Sequence, residues 1–246
     1  RLVCGADPLP ELALGLILLL SVATRLLQAR ELLVPAWVDS VHHTLITQLI
    51  AEQGLIPAGY QPYLPVDNLH YHIGFHANAA VLCWLSGLAP YQAVLVLGQA
   101  LNALTILGVY ALASQWSGER WAGVGAALVA GALSYMPSYY LSWGRYTQLA
   151  GLVLLPGACL LTGWLLDGER RPRGWWALGS LMAAGLALTH YRVIVFYALY
   201  AVCRAGLAIV RQGARMAAWR RVVARCALLA VASLLALAPW VVRWAV

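Results

Sequence analysis

Apolar residues run along this chain in long uninterrupted blocks separated by short polar islands. The first block covers residues 11–29, follows Pro8 and Pro10, and is closed by Arg30. A helix needs about 20 residues, at roughly 1.5 Å each, to cross a bilayer, and this block is long enough. Residues 75–116 form a second block, broken at Gly87-Leu88-Ala89-Pro90 into a short helix and a long one. Residues 121–136 predict a helix ended by Pro137, residues 147–166 a further span, and residues 226–246 a last one. Residues 175–203 are apolar except for Thr189-His190-Tyr191-Arg192 in their middle. The blocks are continuous rather than alternating, which predicts helices and not a barrel. The fold class read from this pattern is all-α, a polytopic transmembrane bundle of about seven spanning helices.

The stretch from 31 to 74 breaks the pattern. Asp39-Ser40 can cap a short helix whose apolar positions are Val41, Leu45, Leu49 and Ile50, with Gly54 as its stop. That helix is too short and polar to span, and is predicted to lie along the membrane surface. Pro57, Gly59, Pro62 and Pro65 then make an irregular, Tyr-containing segment. Two smaller islands follow, Ser138 to Tyr146 and Thr189 to Arg192. Gly123, Gly125 and Gly131 suit close helix packing in lipid.

Composition turns this pattern into a membrane assignment. The chain is 62% apolar and 10% charged, against about 25% charged in soluble proteins. Every basic residue is Arg, and the net charge of +7 comes mainly from residues 170–173 and 204–225. In a multi-pass cell-membrane protein such charge first reports topology, and nucleic acid is not an expected partner. No Lys or Arg occurs between Glu31 and Phe75, so loop 31–74 is expected to be extracytoplasmic and the Arg-rich stretches cytoplasmic. Residues 174–203 would then go out and back, which places all three islands on the external side; one long tilted helix over 175–203 is the alternative. The five Cys are scattered without a CxxC and read as small buried hydrophobes. The chain opens at Arg1 and ends within an apolar run, so residues 1–246 are read as one transmembrane module of a longer protein.

The islands hold the candidate chemistry. Five of the six His lie between residues 42 and 76. Asp39 is a candidate general base or, with His43, a ligand for a divalent metal such as Mg or Mn; the alternative is a helix cap. His42 and His43 fall three and four positions after Asp39, on its side of a helix. His72 and His76 have helical i,i+4 spacing, and with a carboxylate such a pair can ligate metal. Arg145 in Trp143-Gly144-Arg145-Tyr146 and Arg192 in Thr189-His190-Tyr191-Arg192 are lone cations among apolar segments. Their forked guanidinium suits a lipid-linked phosphate, or else snorkels to membrane lipids or pairs with Asp39 or Asp67. Tyr71 and other island tyrosines can stack on sugar rings.

The run 11–29, then Val38-Asp39-Ser40-Val41-His42-His43, then Tyr71-His72-Ile73-Gly74-Phe75-His76, resembles the N-terminal membrane module of type C glycosyltransferases, the GT-C superfamily. Those proteins follow their first span with a large external loop carrying surface helices and an essential Asp. Trp143-Gly144-Arg145-Tyr146 and Leu188-Thr189-His190 resemble islands of its poorly characterised bacterial and archaeal members. The resemblance implies transfer of a sugar from a polyprenyl-phosphate donor to an extracytoplasmic acceptor. It implies Asp39 as catalytic base or metal ligand, and His42, His43, Tyr71, His72, His76, Arg145, Tyr146, His190 and Arg192 as substrate-binding residues. Many members pair two acids in the first loop, whereas here Asp39 is followed by Ser40. Two other classes remain open on the residues: a transporter or flippase-like protein for an anionic lipid, and a non-catalytic subunit binding metal or haem through His.

Overall fold

The computed structural model describes residues 7–167, 171–213 and 215–245, and the regular elements among them are helical. The chain divides into two compact units, Arg1–Val153 and Leu154–Val246. The first contains α1 (Leu9–Ala29), α2 (Val38–Gln53), α3 (Gly74–Ser86), α4 (Pro90–Ser117) and α5 (Arg120–Leu128). A π-helical turn, Val129–Leu133, continues α5, followed by the short α6 (Tyr139–Ser142) and the start of α7 (Tyr146–Leu166). The second unit holds the rest of α7 with α8 (Arg173–Thr189), α9 (Tyr191–Arg211) and α10 (Met216–Ala245).

Five helices, α1, α4, α7, α9 and the part of α10 up to Val242, are long and apolar enough to cross a membrane. The segment Arg120–Leu133 is apolar but shorter, and α8 has 17 residues. The block 175–203 is not one tilted helix. It breaks at His190, whose extended backbone (φ −166°, ψ 126°) ends α8 and caps α9. The basic stretch 204–225 is likewise divided between the end of α9 and the start of α10.

In the first unit α4 is the hub, packing against α1, α2, α3, α5 and α6. Small residues let the backbones approach, as expected where lipid supplies no hydrophobic drive between helices. A Cβ at Gly131 would lie 2.8 Å from Ser21 Oγ on α1, and one at Gly123 would lie 2.8 Å from the Tyr110 carbonyl oxygen on α4. Gly125 faces open space, so only two of the three packing glycines read from the sequence do that work. An ion pair between Arg120 and Glu11 (2.7 Å) joins the start of α5 to α1. Along α1, Leu12, Leu16, Leu19, Leu20 and Leu27 remain exposed, as a lipid-facing stripe would be.

α2 differs from its sequence reading in two ways. It begins at Val38 with Trp37 as N-cap, so Asp39 sits inside the first turn and its side chain caps nothing. An acid there still favours the positive end of the helix dipole. Its buried face is Ser40, His43, Ile46, Thr47, Leu49 and Ile50, while Val41 is 72% exposed. These positions repeat at the i, i+3, i+4, i+7 spacing of one helical face and pack on α3 and α4. Hydropathy alone favoured the stripe through Val41 because it could not foresee that two His-bearing turns would be buried together. Gly54 stops the helix in the left-handed conformation, its N–H bonded to the Ile50 carbonyl. Below α2, Phe75, Ala79, Val94, Leu141, Tyr146, Leu149 and Ala150 form a continuous core.

Candidate functional site

Three segments meet over that core: the N-terminus of α2, the entry to α3, and the turn 143–146 that joins α6 to α7. The turn is set by Gly144, at φ +63°. A Cβ there would lie 2.8 Å from Ser40 Oγ and 3.2 Å from the Ala36 carbonyl oxygen, so glycine is required both for the left-handed backbone and for the close approach. The Gly144 carbonyl accepts a hydrogen bond from His43 Nε2 (3.1 Å). This places Arg145 against Asp39, with NH1 2.8 Å from Oδ2. The guanidinium lies over the Trp143 ring, 4.6 Å from its centroid. The two charged side chains are 33% and 35% exposed, so solvent screening limits the pair to about 0–1 kcal/mol of stability. Its weight is in placement: an acid and a cation held together at a half-open surface. Arg145 Nε is buried and has no hydrogen-bond partner.

Beneath this pair lies a buried His couple. His43 is 2% exposed and His76 is fully buried, with His43 Nδ1 2.9 Å from His76 Nε2. Because a carbonyl only accepts, His43 Nε2 carries a proton. When His43 is neutral its Nδ1 accepts, and His76 Nε2 is then the donor. Burial, reinforced by the neighbouring His43, His72 and His42, holds His76 well below the usual imidazole range. His43 and His76 therefore bind α2, α3 and the 143–146 turn to one another, rather than presenting their rings to a ligand as the sequence reading expected. Tyr146 is also a core residue, 1% exposed. It stacks on Phe75 at 5.7 Å, and its hydroxyl bonds to Ser40.

An aromatic layer borders the pair. His42 Nε2 is 2.8 Å from the Tyr60 hydroxyl, and the two rings stack at 5.5 Å. Tyr71 meets His42 edge-on at 5.0 Å and stacks on His72 at 4.0 Å. Burial, and after it the nearby Asp39 charge, pushes the Tyr71 hydroxyl up to about 12. His42 is held below the usual imidazole range by burial, with Asp39 opposing the shift. The His72–His76 spacing spans the helix start, since α3 begins only at Gly74.

A family model matches residues 6–246. The chain belongs to the family of unknown function DUF6541. No curated protein and no solved structure matches it.

In this DUF6541 chain the site brings together eight of the ten sequence-predicted residues: Asp39, His42, His43, Tyr71, His72, His76, Arg145 and Tyr146. His190 and Arg192 belong to the second unit, where His190 Nδ1 accepts from the Arg192 backbone N–H (3.2 Å) and caps α9. The exposed Arg192 guanidinium lies 5.7 Å from the Tyr191 ring centroid. Among the described residues no group of three or more His, Cys, Asp or Glu gathers to hold a metal. Asp39 is paired with Arg145, and both ring nitrogens of His43 have protein partners. Two contributors escaped the sequence reading. Gly144 was visible only as the glycine between two large island residues. Trp37, at φ +73° and ψ 158°, is the one non-glycine residue with positive φ among the described residues. Its backbone lies in a region essentially restricted to glycine, at a cost of about 1–3 kcal/mol, two residues before Asp39.

Proposed function

We propose that this chain is a membrane glycosyltransferase of the GT-C type, moving a sugar from a polyprenyl-phosphate-linked donor to an extracytoplasmic acceptor. The observation that carries the reading is the Asp39–Arg145 pair, an acid and a forked cation from separate polar islands held 2.8 Å apart at a partly open surface. In-line transfer needs those two functions. Asp39 takes the proton from the acceptor hydroxyl as its oxygen attacks the anomeric carbon. The bond from that carbon to the phosphate oxygen breaks, and Arg145 stabilises the negative charge that develops on the departing polyprenyl phosphate.

The pairing also links the two roles. A donor phosphate that takes over the hydrogen-bond donors of Arg145 leaves the Asp39 carboxylate open to the acceptor hydroxyl as the donor arrives. Tyr60, His42 and Tyr71 border the pair with ring faces and hydroxyls suited to a sugar. The absence of Lys and Arg from 31–74 supports an external location for the loop. The donor set does not fit a resident Mg or Mn ion, because both ring nitrogens of His43 are engaged and, among the described residues, no group of three ligands gathers around Asp39.

The test is transfer of radiolabelled sugar from a panel of polyprenyl-phosphate donors by the protein in its native membranes. Asp39→Asn should lower the rate by about 10²–10⁴-fold at unchanged expression. Full activity in that variant overturns the assignment of Asp39.

A further inference from the structure

A cavity of 710 Å³ opens in the first unit between the end of α1, α4, the π-helical turn and α6. Arg25, Gln28, Gln99, Ser134, Ser138 and Tyr139 are among its lining residues. Arg25 is only 6% exposed. Its NH1 donates to Gln28 Oε1 (3.0 Å) and its NH2 to the Gly131 carbonyl (3.1 Å). Both partners are neutral, and among the described residues no carboxylate pairs with it. Arg25 Nε has no hydrogen-bond partner. Gln99 is 4% exposed, and its side-chain oxygen is also unpartnered. One cavity therefore holds a buried cation without a counterion and a buried amide with open hydrogen-bonding capacity.

A cation inside an apolar bundle is costly unless an anion compensates it. An unpaired buried amide calls for a polar group at hydrogen-bond distance. Serine and tyrosine hydroxyls complete a lining that can wrap a polar headgroup. The wall is also built irregularly. Residues 129–133 form a π-helical turn, a feature concentrated at functional positions, and the carbonyl that holds Arg25 comes from this turn.

We propose that this cavity binds a phosphorylated headgroup carrying a free hydroxyl, with the phosphate oxygens on Arg25 and the hydroxyl on the Gln99 amide. The source is either a membrane lipid or a soluble phosphate ester, since both present the same chemistry. The site does not depend on Asp39 acting as a transferase base.

The test uses the full chain in two arms. In the lipid arm, native mass spectrometry counts lipids retained from nanodiscs of equal phosphatidylglycerol and phosphatidylcholine content. In the soluble arm, glycerol phosphate and inorganic phosphate are titrated against thermal stability in detergent. Preferential retention of phosphatidylglycerol assigns a lipid source, and stabilisation by glycerol phosphate above inorganic phosphate assigns a soluble one. In either case Arg25→Gln should weaken binding at least about tenfold, the factor expected for losing one charge-assisted hydrogen bond. Arg25 also holds the π-helical turn, so Gln99→Leu is the second variant. It breaks no hydrogen bond among the described residues and should weaken glycerol phosphate or phosphatidylglycerol while sparing inorganic phosphate. Asp39→Asn should bind like the wild type, which separates this site from the transferase reading. Absence of preference in both arms, or equal binding by the wild type and Gln99→Leu, overturns the proposal.

Discussion

The guanidinium of Arg145 closes on the carboxylate of Asp39 at 2.8 Å, and the turn that brings it there depends on the absence of a side chain at Gly144. The contact is thus less a pairwise attraction than a consequence of how closely the 143–146 turn sits on the N-terminus of α2. Substitutions in the pair should impair function at nearly unchanged stability, whereas substitutions in the turn should impair both.

Changing Arg145 to Lys keeps the charge but removes the fork and the planar contact with Trp143. Thermal stability in detergent should move by less than about 1 kcal/mol, because the pair is partly solvated. The KM for the lipid-linked donor should rise about 10–100-fold, the value of one or two charge-assisted hydrogen bonds. An unchanged KM would remove Arg145 from phosphate recognition.

Gly144→Ala should be destabilising as well as inactivating. The added methyl group meets Ser40 and the Ala36 carbonyl, and alanine disfavours φ +63°, for a combined cost of about 1–3 kcal/mol. Gly125→Ala is the control, since nothing lies within 4 Å of its added Cβ and alanine is the better helix former. Thermal melts of the two variants should differ in sign.

Trp37→Gly should raise the thermal midpoint. Relief of the strained backbone, about 1–3 kcal/mol, exceeds the added flexibility of glycine in the unfolded chain, about 0.5–1 kcal/mol. Sugar transfer should fall, because the entry to the first turn of α2 is no longer rigid. A variant that is both more stable and fully active would show that the strain serves nothing.

Acid should loosen the site through His76. Its folded-state pKa lies well below that of the unfolded chain, so the unfolded state binds the extra proton first. The stability contributed by neutral His76 is complete above about pH 6.5. It declines by up to about 1.4 kcal/mol per pH unit below that, down to the folded pKa. His42 adds to the same trend. Melts from pH 7.5 to 5 should show a steeper loss in the wild type than in His76→Phe, which cannot take up the proton. Parallel curves would assign the acid response elsewhere.

Much of the helical layout is legible in the order of residues. The break at Gly87–Pro90 and the stop at Gly54 appear where the sequence places them, because each is enforced locally by φ preference or a missing donor, and the break at His190 falls within the polar island at 189–192. Asp39 and Arg145 could be named as candidates from the rarity of charge in an apolar chain. The buried face of α2 could be read only in part: Leu49 and Ile50 lie inside, where the apolar pattern places them. His43 and Thr47 lie inside while Val41 lies outside, and hydropathy orders these the other way.

Sequence alone determined the class of this protein: an apolar, Arg-punctuated helical chain with polar islands, in which backbone groups must be satisfied within each helix. Tertiary structure decided how the islands are used. It paired Asp39 with Arg145, buried His43 against His76, and left Arg25 beside a cavity without a counterion. The physical reason is range: helix formation depends on neighbours within a few residues, whereas desolvation and ion pairing depend on which distant segments close over a side chain.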